Sequence, residues 1–373
     1  MPRLYADHNA TTPLHPAVLE TMVPYLRDHF GNASSVHREG REARAAIDDA
    51  RVRVAALLGA QESEIVFTGG GTESDNTAIF GVPPGHIITC GTEHHAVLHA
   101  CAHRRDGEVT YLPVDGTGLL DPAELRRAIR PDTRLVSIMS ANNETGTVQP
   151  IRELSIICRE SGIPFHTDAV QSFGKVPVNV ASWGVDLLSL AAHKFYGPKG
   201  VGVLFLRRGV KLQPLHYGGS HENERRAGTE NVAAIVGLAK AAELAAAKIE
   251  SEGARLFQLT ERLATGIEHT IPRVHRNGHP RLRVPNTVNF SFAGCSFEGL
   301  LLGLDLEGIA VSSGSACAVG SLEPSHVLLA MGLSRELARA AVRFSLGAGN
   351  TEADVDTILA ALPRVIQRLR AFS

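Results

Sequence analysis

Between about residue 47 and residue 206, short apolar runs alternate with longer stretches of helical periodicity. The runs cover 64–68, 86–89, 108–112, 134–139, 163–168, 185–190 and 201–206. Several are continuously apolar rather than alternating, the pattern of strands covered on both faces. Helical stretches at 47–58, 122–130 and 151–161 separate them. This predicts an α/β fold with a doubly wound, mainly parallel sheet of seven strands. An Ala-rich helix is predicted over 232–250 and a second near 256–270. Segments 288–292, 296–306, 311, 325–331 and 341–344, with a terminal helix, read as a smaller α+β unit. No repeat, low-complexity tract or long linker interrupts the pattern.

Composition narrows the picture. The chain has 373 residues, 44% hydrophobic and 20% charged, enough for two domains with a substantial core. A formal net charge of -2 offers no electrostatic reason to expect nucleic acid or an anionic membrane as partner. No apolar run approaches the roughly 20 residues of a spanning helix. Residues 1–7 carry no apolar signal core, so secretion is not expected. The five cysteines (Cys90, Cys101, Cys158, Cys295 and Cys317) are scattered without a C-x-x-C pair, which argues against a disulfide framework or a zinc ribbon. The expected compartment is a reducing cytoplasm, and no metal site is expected.

Three strand ends carry candidate chemistry. Lys194 leaves the apolar run 185–192 and enters the turn Phe195-Tyr196-Gly197-Pro198-Lys199-Gly200. Asp168 ends the run before it, and Gly69-Gly70-Gly71-Thr72 follows the run at 64–68. Each feature alone is ordinary: strand-end lysines are usually solvated, and a glycine turn most often only joins strand to helix. Together they are the parts of a pyridoxal phosphate site. The lysine takes the cofactor's aldehyde, the aspartate pairs with the pyridinium nitrogen, and the loop cradles the phosphate. Cys317 lies in the small, polar stretch Ser312-Ser313-Gly314-Ser315-Ala316-Cys317, which leaves a thiol accessible. Cys90 and Cys158, in apolar runs, read as buried hydrophobes, while the pattern around Cys101 and Cys295 decides nothing.

Ten segments, in order, resemble the NifS/IscS-like cysteine desulfurases of the class V aminotransferase family. They include Asp7-His8-Asn9-Ala10-Thr11-Thr12, Thr68 to Asn76, Glu93-His94-His95-Ala96-Val97, Asn142-Asn143-Glu144, Asp168-Ala169-Val170-Gln171, His193-Lys194, Arg226-Ala227-Gly228-Thr229-Glu230-Asn231, the Cys317 stretch and Arg343-Phe344-Ser345-Leu346-Gly347. The resemblance implies a fold type I pyridoxal phosphate enzyme acting as a homodimer. Residues 1–16 would form an arm packing with the small domain, 17–250 the large cofactor-binding domain, and 251–373 the small domain with the cysteine loop.

The resemblance also assigns roles. Gly71, Thr72 and nearby amides would hold the phosphate, with His193 as a further donor and Thr229 reaching it from the other subunit. Asp168 would face the ring nitrogen, with His94 stacked on the ring and relaying protons. Gln171 and Asn143 would contact the ring oxygen and the substrate side. Lys194 would carry the cofactor, Arg343 would clamp the substrate carboxylate, and Cys317 would take the sulfur of L-cysteine as a persulfide. Alanine would leave, and a sulfur-acceptor protein of iron–sulfur or thiocofactor assembly would follow. The family commonly has serine where this chain has Ala191, so one phosphate donor is missing. Rival readings are a selenocysteine lyase or another pyridoxal phosphate enzyme on this fold, and, more distantly, a non-catalytic scaffold.

Overall fold

A computed structural model describes residues 3–313 and 323–371. Its strands are β1 (Leu4–Tyr5), β2 (Ile65–Thr68), β3 (His86–Cys90), β4 (Val109–Leu112), β5 (Thr133–Ser137), β6 (Phe165–Asp168), β7 (Leu187–Ala191), β8 (Gly202–Leu206), β9 (Val274–Asn277), β10 (Thr287–Phe292), β11 (Ile309–Ala310) and β12 (Ala341–Ser345). The seven predicted runs form one sheet in the order β2-β8-β7-β6-β5-β3-β4, parallel except for β8. Strands β3, β6, β7 and β8 are buried at every position, so alternate side chains feed two cores. Leu188, Leu190 and Phe205 meet the helices Arg38–Leu58 and Val232–Ala246 on one face. On the other, Leu187 and Leu204 meet Gly71–Gly81 and His95–His103.

A second sheet, β12-β10-β9, is antiparallel and packs on Ile249–Thr270, Phe297–Leu306 and Glu352–Ala371. Its core also takes in Leu4 and Ala6 of the early arm, and β1 pairs in parallel with β11. The predicted helix 232–250 instead ends at Ala246, and the next begins at Ile249. The break has a packing reason. Ala241 and Ala242 belong to the first core, whereas Leu256, Leu259 and Leu263 belong to the second, so the chain must change direction between them.

Because β2 and β7 are both antiparallel to β8, they run the same way, and the carboxyl ends of β2, β3, β5, β6 and β7 share one edge. Such an edge is where open α/β sheets bind ligands.

Below that edge, His166 of β6 is 0% exposed, its Nδ1 2.8 Å from Ser137 Oγ and its Nε2 3.0 Å from Ser189 Oγ. Burial lowers its pKa from 6.5 to about 3. As pH falls below 6.5 the unfolded chain takes up a proton that the folded one refuses, so stability is lost toward pH 3, by about 1.4 kcal/mol per pH unit at most. Urea unfolding between about pH 6 and 4.5 is therefore expected to show a shallower acid-side loss in His166→Asn, by one proton's worth. Identical pH slopes in the two proteins would contradict this account.

Candidate active site

A cavity of about 250 Å³ opens at that edge, and Gly71, Thr72, His94, Asn143, Asp168, Gln171, His193, Lys194 and Arg343 all line it. Thr229 does not; it is exposed, in the segment before the helix Val232–Ala246. Cys317 lies outside the described residues.

The lysine is placed by a tight turn. Strand β7 ends at Ala191, a single 3-10 turn covers Ala192–Lys194, and Lys194 Nζ donates to the carbonyls of Asn9 (2.7 Å) and Ala10 (2.8 Å). The same arm grips the turn at His193, whose carbonyl accepts from Thr12 N and Thr12 Oγ1, both at 2.9 Å. Beside it, Gly70 adopts φ 148° and Gly71 opens the helix Gly71–Gly81. A Cβ on Gly71 would stand 2.8 Å from Val170 Cγ2, so this approach admits no side chain. Ala191 is 2% exposed and presents a methyl on the same side.

Asp168 is buried at the end of β6, its Oδ1 accepting from Val170 N at 2.8 Å. Burial raises its pKa to about 6, against the Val170 bond and the charge of Lys194. His94 caps the helix His95–His103, its Nδ1 accepting from Ala96 N at 3.1 Å. Burial first, then Lys194, lowers its pKa to about 4, so it is a neutral base at physiological pH.

Asn143 uses its carbonyl to accept from Asn9 Nδ2 (3.1 Å) and Arg343 Nη1 (2.8 Å), while its buried Oδ1 has no hydrogen-bond partner among the described residues. Gln171 is engaged at both ends of its amide, accepting from Lys175 Nζ (2.6 Å) and donating to Asn9 O (3.0 Å). Arg343 is no surface arginine: it is 1% exposed on β12, and its Nη2 donates to Asp7 Oδ1 at 2.6 Å. A substrate carboxylate would share that guanidinium with Asp7.

Pattern reading missed several members of the site. Asp75, Glu144, His95 and His326 also line the cavity. Ser325 Oγ donates to Glu144 Oε2 at 2.5 Å across 181 residues of sequence, and His326 Nε2 lies 2.9 Å from Glu93 O. The rings of His95 and His326 are 4.6 Å apart. Contacts this distant in sequence leave no local periodicity. Burial lifts the pKa values of Asp75, Glu93 and Glu144, and Asp168 adds to the effect at Asp75 and Glu93. His95 and His326 also border a smaller cavity of about 170 Å³ that Ser313 and Glu323, the residues flanking the undescribed stretch, help to line.

The described cysteines are poor nucleophiles. Cys90, Cys101 and Cys158 are buried, and burial pushes their thiols up to about 11, 12 and 12. Burial also raises Cys295.

Residues 4–358 match the model of the family described as aminotransferase class-V. The chain is 52% identical over 378 aligned residues to a cysteine desulfurase IscS of Dictyoglomus turgidum, covering 99% of this chain and 96% of that protein. It is equally identical to a cysteine desulfurase IscS of Methanosarcina thermophila, with 99% and 93% covered. Among solved structures, a NifS-like protein superposes with a TM-score of 0.92 at 38% identity, covering 98% of this chain and 100% of that one. SspA in complex with cysteine superposes with a TM-score of 0.82 at 39% identity, covering 92% and 98%.

Proposed function

We propose, from the premise that this chain belongs to the aminotransferase class-V family and within it to the NifS/IscS-like cysteine desulfurases, that its cavity holds pyridoxal phosphate and L-cysteine and passes sulfur to Cys317. The enzyme is a cysteine desulfurase: it removes sulfur from L-cysteine and leaves L-alanine. The observation that carries the cofactor assignment is the meeting of Lys194, Asp168 and the Gly71–Thr72 helix start around one cavity.

The residues fit the cofactor. Gly71 and Thr72 line the cavity at the N-terminus of the helix Gly71–Gly81, where unpaired amides and the dipole favour an anion and would take the phosphate. A pyridinium N–H at Asp168 would hold that carboxyl ionised against its burial. The unpartnered Oδ1 of Asn143 is an acceptor awaiting a donor. When bound, pyridoxal phosphate supplies an electron sink for the pair left on the substrate α-carbon.

The chain's own groups do the rest. Lys194 Nζ takes the α-proton, and neutral His94, with Nδ1 committed to Ala96, moves protons at Nε2. Arg343 orients the substrate carboxylate. Cys317 attacks the substrate sulfur as a thiolate: a sulfur–sulfur bond forms, the carbon–sulfur bond breaks with its electron pair going to carbon, and that carbon takes a proton. The raised thiols of the other four cysteines support this choice of nucleophile.

A homodimer and an acceptor protein complete the reading, with Thr229 of the partner subunit at the phosphate. The exposure of Thr229, together with Phe30 (80% exposed), Val36 (88%) and Tyr217 (80%), supports a covering subunit. Among the described residues no helix is long and apolar enough to cross a membrane, in keeping with a cytoplasmic enzyme.

Incubation with L-cysteine, reading alanine and persulfide on one timescale, tests the whole assignment. Lys194→Ala is expected to abolish both turnover and the visible absorption of bound pyridoxal phosphate; normal turnover in it would defeat the mechanism. Cys317→Ser is expected to keep cofactor absorption and lose alanine formation by several orders of magnitude, since a hydroxyl cannot hold a persulfide. Persulfide mapping by mass spectrometry to another cysteine would refute the role of Cys317. Ala191→Ser restores a hydroxyl donor and is expected to slow cofactor loss on dialysis by about tenfold at most, the equivalent of one hydrogen bond. Equal off-rates would mean that another donor already serves the phosphate.

A further inference from the structure

Lys175 does not line the active-site cavity, yet it stands beside Lys194. It follows Gly174, whose φ of 76° and close neighbours (a Cβ there would meet Ala245 Cβ at 3.0 Å and Phe195 Cβ at 3.2 Å) bring the chain in behind the lysine turn. Its Nζ donates to Asn9 Oδ1 at 2.9 Å and to Gln171 Oε1 at 2.6 Å. An amine that donates to both leaves each amide a single orientation. Gln171 must then present Nε2 to Asn9 O, and Asn9 must present Nδ2 to Asn143 O and to Thr287 Oγ1 (2.9 Å). The carbonyl so held is the one that seats Lys194 Nζ.

The charges around the two amines are unevenly disposed. Among the described residues Lys175 has amide partners and no carboxylate. Arg343, paired with Asp7, faces it from β12, and His8, neutral with a pKa of about 4, faces it from the early arm. Lys248 and Glu252 line, with Lys175 and Lys194, a separate cavity of about 130 Å³ behind the turn. Lys194 in turn faces Asp168, His94 and His193. Burial, then Lys194 and Arg343, pull the Lys175 pKa well down. Two amines sharing one residue's oxygens hold two protons only at a cost.

We propose that Lys175 is a positioning residue for Lys194, locking the amides of Asn9 and Gln171 that form its seat and competing with it for protons as one coupled pair, so that Lys194 holds its proton less firmly near neutral pH than it would alone. This rests on the role given to Lys194 in the proposed function, and it is tested without turnover. The full-length chain, with cofactor removed, is pulsed with acetic anhydride from pH 6 to 10, and the acetylated fraction of Lys194 is read by mass spectrometry, with exposed Lys199 as internal reference.

In Lys175→Met, the Lys194 labelling midpoint is expected to rise by about one pH unit, so that labelling near pH 7.5 falls about tenfold. Lys175→Arg, which keeps a cation and its donors, is expected to leave the midpoint at or below that of the parent. An unchanged midpoint in Lys175→Met overturns the proposal, and so does an equal rise in both variants, which would mark a purely structural role. If the methionine variant does not fold by thermal melting, Lys175→Gln carries the same comparison. Failure of the parent to form alanine would sink the functional reading and leave the labelling result standing.

Discussion

Asn9 is where the two halves of the molecule are tied beside Lys194. It is 1% exposed, and every polar atom of it is used. Its N–H donates to Ser345 Oγ, and its side-chain nitrogen to Asn143 O and Thr287 Oγ1. Its side-chain oxygen accepts from Lys175 and Asn286, and its carbonyl from Lys194 and Gln171. Apolar packing builds each core but is non-directional, so it cannot set their alignment to the fraction of an ångström that chemistry needs. A saturated amide can, because a shift of either side breaks several bonds at once and leaves buried polar groups unpaired.

The site is built at an electrostatic cost. Asp75, Glu93, Glu144 and Asp168 crowd one edge of it, all buried, all with proton affinity raised by burial. Lys194 and Arg343 line the same cavity as Asp75, Glu144 and Asp168. Buried acids and fixed cations gathered around one cavity leave a field for a ligand to complete. Among the described residues there, Arg343 is tightly paired with Asp7.

Much of this was legible in the chain, for identifiable reasons. Most strands of the large sheet showed because burial on both faces leaves long apolar runs, as in β7 and β8, and Lys194 and Asp168 showed because they end such runs. The helix Arg38–Leu58 was half hidden, since its first turns, Arg38-Glu39-Gly40-Arg41-Glu42, lack an apolar stripe. Strand β9 was hidden too, as Val274-His275-Arg276-Asn277 has one apolar residue and earns its place only by pairing with β10. Resemblance brought forward His94, Asn143 and Arg343, whose own surroundings read as ordinary helix starts, turns and surface. Neither pattern nor resemblance gave a role to Lys175, Glu144 or His326, because what they touch lies on other elements.

The pairing of the early arm with β12 also sets an order of events during synthesis. Asn9 and Ser345 are 336 residues apart, and Ala6, Asp7 and His8 likewise meet Ser345 or Arg343. At roughly 5–20 residues per second, the arm waits on the order of 20–70 seconds for these partners to emerge from the ribosome. The large sheet and its helices are complete well before then. A nascent chain therefore carries a folded half whose arm still lacks its partners on β12, and one of the last elements made is the one that ties down the first.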